Sequence, residues 1–114
     1  MSLSITDEMK GPAVVVRLVG QLDTLTAKPF ESHLAAHISQ GQKRIIVDLE
    51  AVNYISSYGL RVFLLTAKQL RSDRRAFTLC RLTPDVKKIF RISGFDKILT
   101  IHDTLEEAIS LAAE

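Results

Sequence analysis

Apolar and polar positions fall into short runs that change period along the chain, from the two-residue alternation of a strand to the three-and-four spacing of a helix. Leu3, Ile5 and Met9 alternate with polar neighbours up to Gly11-Pro12, a turn pair leading into the apolar run Ala13 to Val19. This pattern predicts a hairpin whose first strand lies at an edge. Beyond it, strand signals at 13–20, 44–49, 76–82 and 97–101 are separated by helical signals near 26–39, 57–71 and 84–92, with a last helix at 104–113. Alternating strands and helices imply a mostly parallel sheet, because a parallel pair needs a crossover to bring the chain back to the same end. Val14 to Val19 is apolar on both faces apart from Arg17, and Ile45-Ile46-Val47 is two-sided as well, so both segments are expected as central strands. The expectation is one α/β domain over residues 1–114, with about five strands and four helices and an antiparallel N-terminal edge. Helices are expected on both faces of the sheet, with one-sided packing as the alternative.

Local punctuation agrees with these boundaries. Gly41 and Gly94 stand just past helical patterns, where a left-handed residue closes a helix, and Thr83-Pro84 reads as an N-cap followed by proline in the first helical position. Asp103 with Glu106 suggests an Asp-x-x-Glu capping box before the last helix.

The helix near 57–71 carries the most informative segment. Leu60, Phe63, Leu64 and Ala67 follow the spacing of a core-facing stripe. A second stripe, Tyr58, Val62, Leu65 and Gln69, is partly apolar; it either packs against a neighbour or forms a docking face. Ser56 and Ser57 stand at the start of this helix. A serine oxygen there accepts a bond from a free backbone N–H and contributes about 1 kcal/mol, but one cap needs one serine. A serine one residue further in is exposed. A phosphate on it would meet free N–H groups and the positive end of the helix dipole, and would place about two negative charges on the surface.

Composition narrows the choice of function. A net charge of +2 gives no global field for nucleic acid or an anionic membrane, and no run of about 18 apolar residues occurs. A single cysteine, Cys80, excludes an internal disulfide and fits a reducing, cytoplasmic setting; lying in an apolar strand, it is expected to be an inert packed thiol. His33 and His37 share a helix face at a spacing of four, but no H-E-x-x-H pattern completes a metal site and His102 is distant, so no metal or other cofactor is expected. Arg71, Arg74 and Arg75, with Lys87, Lys88 and Arg91, lack interleaved aromatics and read as solvated faces. No glycine-rich phosphate loop occurs. Nor does Ser57 sit in a nucleophile elbow, since Ile55 stands where glycine is needed. A binding module, not an enzyme, is the expectation.

Val47-Asp48-Leu49-Glu50-Ala51-Val52-Asn53-Tyr54-Ile55-Ser56-Ser57-Tyr58-Gly59-Leu60 resembles the signature of the STAS domain in its stand-alone form, the bacterial anti-sigma factor antagonist. Gly20-Gln21-Leu22-Asp23 is similar to the family's other recurrent segment, and the order of elements matches over essentially the whole chain. The resemblance implies a protein inactive when phosphorylated and active when not. Its implied partners are an anti-sigma factor Ser/Thr kinase with a histidine-kinase-like ATPase fold, which supplies the nucleotide, and a metal-dependent Ser/Thr phosphatase. The implied phosphoacceptor is Ser57, with Ser56 the second candidate. Asp23, Thr24, Ser56, Tyr58, Gly59, Val62 and Leu65 are the expected partner-contact residues, and the free chain is expected to be a monomer. Asp23 has a second reading, as the cap of its own turn. The commonest family form has Asp before the acceptor and a small Ser or Thr after it, whereas Ser56 and Tyr58 stand here. Two other functions stay open: a STAS subunit of a transporter complex that needs no phosphorylation, and a small-ligand domain using the crevice near Asp23 and Ser57.

Overall fold

The computed structural model describes residues 2–112. Strand β1 (Leu3–Lys10) turns through Gly11-Pro12 into β2 (Ala13–Leu22), and the two pair antiparallel from Lys10 opposite Ala13 to Leu3 opposite Gly20. The chain continues through α1 (Ala27–Ser39), β3 (Arg44–Ile55), α2 (Ser57–Ser72), β4 (Ala76–Cys80) and α3 (Pro84–Ser93). A short 3-10 helix (Phe95–Lys97), β5 (Thr100–His102) and α4 (Leu105–Ala112) complete it. The expected end of the last helix at Ala113 lies outside the described residues.

The sheet order is β1-β2-β3-β4-β5, with every pair after the first parallel. This order explains where the helices go. Right-handed crossovers that always advance in one direction across a sheet put every connecting helix on the same face. Accordingly α1, α2 and α3 cover one face, where Phe63 of α2 meets Phe30 of α1 at 5.3 Å, Phe90 of α3 at 5.8 Å and Phe77 of β4 at 6.4 Å between ring centroids. Only α4, which follows the last strand and is bound by no crossover, packs on the other face, with Ala108 against Ala13, Val15, Ile46 and Cys80. Both faces are occupied, but three to one.

Three local expectations need correction. β3 does not stop at Leu49 but runs to Ile55, because two register shifts against β2 move its inward positions from a spacing of two to three: Leu49, Val52 and Ile55. A strict alternation cannot detect that. The last helix is capped by Thr104, whose hydroxyl accepts the Glu107 N–H at 3.1 Å, so the capping pair lies one residue beyond Asp103 and Glu106. The fifth strand begins at Thr100, the 3-10 helix having taken Lys97. Thr83 and Gly94 behave as expected: the Thr83 hydroxyl accepts the Val86 N–H, and Gly94 closes α3 at φ 80°.

Candidate functional site

The carboxyl ends of β2 and β3 leave the sheet side by side. Leu22 is registered with Ile55, and the Ser56 N–H donates to the Leu22 carbonyl at 2.8 Å, which sets the start of α2 beside the turn that leads to α1. Because the strand order never reverses, there is no switch-point crevice of the kind that holds nucleotides in doubly wound sheets. The site is an open surface.

The two serines have different surroundings. Ser56 is the N-cap of α2: its backbone is extended (φ −81°, ψ 172°), its hydroxyl accepts the Gly59 N–H at 3.3 Å, and its carbonyl accepts the Leu60 N–H at 2.9 Å. Ser57, the first helical residue, is exposed, and among the described residues nothing hydrogen-bonds its hydroxyl. The N–H groups of Ser57 and Tyr58 belong to the first turn and have no intrahelical acceptor, and no acidic side chain occupies that turn.

Asp23 is committed to its own turn. Its Oδ1 accepts the N–H groups of Leu25 at 2.9 Å and Thr26 at 3.1 Å and the Thr26 hydroxyl at 3.2 Å, while its own N–H donates to Thr26 Oγ1. Desolvation raises the Asp23 carboxyl pKa, but these bonds outweigh it and hold the group below its ordinary value. Among the described residues none of its bonds reaches Ser57, so the geometry is that of the capping role.

The expected stripe at Tyr58, Val62, Leu65 and Gln69 is not a single exposed face. Val62 is buried in the core, whereas Tyr58 is 59% and Leu65 44% exposed. Leu60 and Leu64 are only half-buried, so the core stripe of α2 is Gly59, Val62, Phe63, Thr66, Ala67 and Leu70, rotated from the one expected. Gly59 is also inside: a Cβ there would stand 2.9 Å from Ile55 Cγ2 and from Leu22 Cγ and Cδ2. Its glycine lets the helix start sit close against the two strand ends, and Val62 offers only the edge that lines a cavity. Thr24, Tyr58 and Val62 do come together, in a cavity of about 340 Å³ with Lys28, Glu31 and Arg61. Ser57 and Tyr58 line an adjoining cavity of about 440 Å³ with Arg61, Leu64 and Phe95.

Four surface residues escaped the sequence reading. Arg61 lies one turn beyond Ser57 on the same helix face; the four-residue spacing was the available signal. Phe95 comes from the 3-10 helix, for which the local sequence has no periodic mark. Leu25, 78% exposed on the β2–α1 turn, and Tyr54, 47% exposed near the end of β3, extend the apolar surface.

A different polar centre lies within the sheet. Asp48 on β3 is completely buried, yet it accepts bonds from Arg17 on β2 at 3.1 Å and from the Arg81 guanidinium, and its Oδ1 takes the Glu50 N–H at 3.2 Å. Burial pushes the Asp48 carboxyl up, but Arg81, the Glu50 N–H and Arg17 together hold it below the usual range. Arg81 reaches it from a left-handed backbone (φ 57°) just past β4. Burial, with the Asp48 charge in second place, pushes the Cys80 thiol up to about 12, in keeping with an inert packed thiol. No helix among the described residues is long and apolar enough to cross a membrane.

Comparisons with known proteins join the two ends of this description. The STAS domain model matches residues 4–108. BtrV of Bordetella bronchiseptica, named as an anti-sigma factor antagonist, is 41% identical over 95 residues, covering 83% of this chain and 82% of its own. The unphosphorylated form of the anti-sigma factor antagonist SpoIIAA superposes with a TM-score of 0.81 at 28% identity, covering 96% of each chain. The phosphorylated form of the Bacillus cell fate determinant SpoIIAA superposes at 0.72 and 28%, covering 94% of this chain and 97% of that one. An antiparallel edge, three crossover helices on one face and a serine pair opening α2 are thus found together with a sequence match over nearly the whole chain, and the chain belongs to the STAS domain family.

Proposed function

We propose that this chain is an anti-sigma factor antagonist whose Ser57 is the phosphoacceptor of a partner switch. Unphosphorylated, it binds an anti-sigma factor that is also its Ser/Thr kinase, of the histidine-kinase-like ATPase fold. A metal-dependent phosphatase restores that state.

The observation that carries this reading is the division between the serines. Ser56 is occupied as the cap, while Ser57 is exposed, its hydroxyl unbonded among the described residues, in a turn whose N–H groups can receive an anion. Arg61 supports it further, since a phosphate on Ser57 would have a guanidinium one turn away on the same cavity wall. The surface at this end of the sheet is suited to a protein partner: Tyr58 is exposed beside the acceptor, Leu25 and Tyr54 are exposed near the ends of β2 and β3, and Leu65 is exposed two turns further along α2; aromatic residues of this kind anchor interfaces. Phosphate would be stabilised locally, so the fold stays intact while about two negative charges appear beside exposed Tyr58. Kinship with a named anti-sigma factor antagonist and with a fold solved in both phosphorylation states points the same way.

The test is phosphate transfer from ATP by the cognate kinase, followed by mass spectrometry. One phosphate is expected on Ser57, absent from Ser57→Ala and retained in Ser56→Ala. Phosphate that persists in Ser57→Ala and vanishes in Ser56→Ala overturns the assignment.

A further inference from the structure

The sequence leaves His33 and His37 as a helical pair without a third ligand. The fold supplies one. Asp7 lies on β1, opposite Val16, on the strand face that carries Leu3 and Ile5 toward α1. Its carboxylate oxygens stand 2.8 and 2.9 Å from His33 Nε2, and Oδ2 stands 3.0 Å from His37 Nε2. The two imidazole rings meet nearly edge to face, 5.2 Å apart at 72°.

His37 is what makes this more than a surface ion pair. Its side chain is only 12% exposed, and among the described residues neither ring nitrogen has a hydrogen-bond partner, since Asp7 lies off the line that a bond from Nε2 would need. A buried polar nitrogen without a partner costs free energy, and native structures rarely leave one so. An ion coordinated by Nε2 would satisfy that nitrogen, with the ring proton then on Nδ1. The donor set is that of a zinc-class site, two neutral imidazoles and a carboxylate, with the remaining position open to water. In a tetrahedron with bonds of about 2.0–2.2 Å the donors lie roughly 3.3–3.5 Å apart; the Asp7–histidine separations of 2.8–3.0 Å need to open by a few tenths of an ångström to reach this, and all three ligand atoms lie within 4.8 Å of one another.

We propose that Asp7, His33 and His37 form a binding site for one divalent transition-metal ion of zinc's class, linking the edge strand β1 to helix α1. β1 is held by β2 on one side only and is exposed over Thr6 to Lys10, so it is the strand with most to gain from a second attachment. The site lies away from Ser57 and stands or falls independently of the phosphorylation reading.

Zinc chloride titrated into the full chain, stripped of metal with a chelator, tests this by calorimetry and by histidine ring resonances in NMR. Saturable binding of one Zn²⁺ per chain is expected, with the His33 and His37 rings shifting and His102 unmoved. Asp7→Asn and His37→Gln, checked for native circular dichroism, should each weaken binding at least tenfold, while His102→Gln leaves it unchanged. Zinc at about a hundred times its Kd should raise the Tm by several degrees. Lack of saturable binding below about 100 µM, shifts confined to His102, or wild-type affinity in both ligand variants overturns the proposal; the ring shifts in the wild type decide the matter even if a variant fails to fold.

Discussion

Asp48 and Ser57 lie on the same stretch of chain, nine residues apart (57 − 48), yet they show opposite uses of polarity. Asp48 is a charge in the sheet interior with no exposure to solvent, held by Arg17, Arg81 and a backbone N–H. Ser57 is an uncharged group at the sheet's open end, and among the described residues nothing is bonded to its hydroxyl. Where every bond is used inward, a polar residue specifies the fold and cannot be exchanged. Where none is used, it can be modified without the fold responding. On this view, removing a charge at 48 should damage the protein more than adding one at 57.

The largest expected effect is at Asp48. Asp48→Ala leaves two guanidiniums without their shared acceptor. Breaking a buried pair costs about 3–5 kcal/mol, and since Arg17 and Arg81 are partly exposed and can turn to water, about 3 kcal/mol is expected in urea denaturation. Acid should act on the same group. Its folded pKa is depressed, so the stability it confers is complete above the ordinary carboxylate value of about 3.9 and is lost as pH falls through the lowered folded value. Asp48→Asn should therefore flatten the acid limb of the stability profile. An unchanged limb would show that other carboxylates govern acid unfolding.

Adding charge at the open end should leave the fold alone and affect the partner. Ser57→Asp is expected to keep its unfolding free energy in urea denaturation within about 0.5 kcal/mol of wild type, because the new carboxylate faces free N–H groups and Arg61. The same variant should bind the anti-sigma factor at least tenfold more weakly, about 1.4 kcal/mol, in a pull-down or calorimetric titration. A large loss of stability would break the comparison, by showing that Ser57 is part of the fold after all.

How much of this contrast the sequence could reveal follows from the range of the interactions. Ser56 and Ser57 were legible because a helix cap is a local device, and so were Gly94, Thr83 and the crossover order. Asp48 with Arg81 was not, since their contact spans 33 residues and depends on a left-handed Arg81 that no composition rule announces. The proposed docking surface was half legible. Tyr58 and Leu65 are exposed as expected, but Val62 and Gly59 are drawn inside because α2 is rotated against the sheet to bring Phe63 among three other rings. Asp7 was invisible beside His33 for the same reason as Arg81: an antiparallel edge strand brings together residues that local patterns treat as unrelated.

Gly59 sharpens the boundary between the two regimes, being two residues from Ser57 yet fully enclosed. Gly59→Ala would press its Cβ to 2.9 Å from Ile55 and Leu22, both buried and unable to yield freely. Overpacking of this kind costs about 1–3 kcal/mol, and the better helix propensity of alanine returns up to about 1 kcal/mol, so a net loss of about 1 kcal/mol is expected. A stabilised variant would mean that the helix start can shift outward, and that the strand ends do not fix its position.

The smallest effect is the most discriminating, because it separates two adjacent residues of the same type. Ser56→Ala removes the acceptor of the Gly59 N–H. Cap losses run from about 0.5 to 2 kcal/mol, and a bond as long as 3.3 Å puts this one in the lower half, near 0.5–1 kcal/mol. Ser57→Ala removes a hydroxyl that bonds to nothing among the described residues, and alanine suits the first helical turn, so its unfolding free energy should stay within about 0.5 kcal/mol of wild type in either direction. The two variants should then cross over between assays: Ser56→Ala loses stability and keeps its phosphate, while Ser57→Ala keeps stability and loses the phosphate. Equal destabilisation by both would place Ser57 in the cap as well, and an acceptor already bonded in this way would no longer be free for a kinase to take.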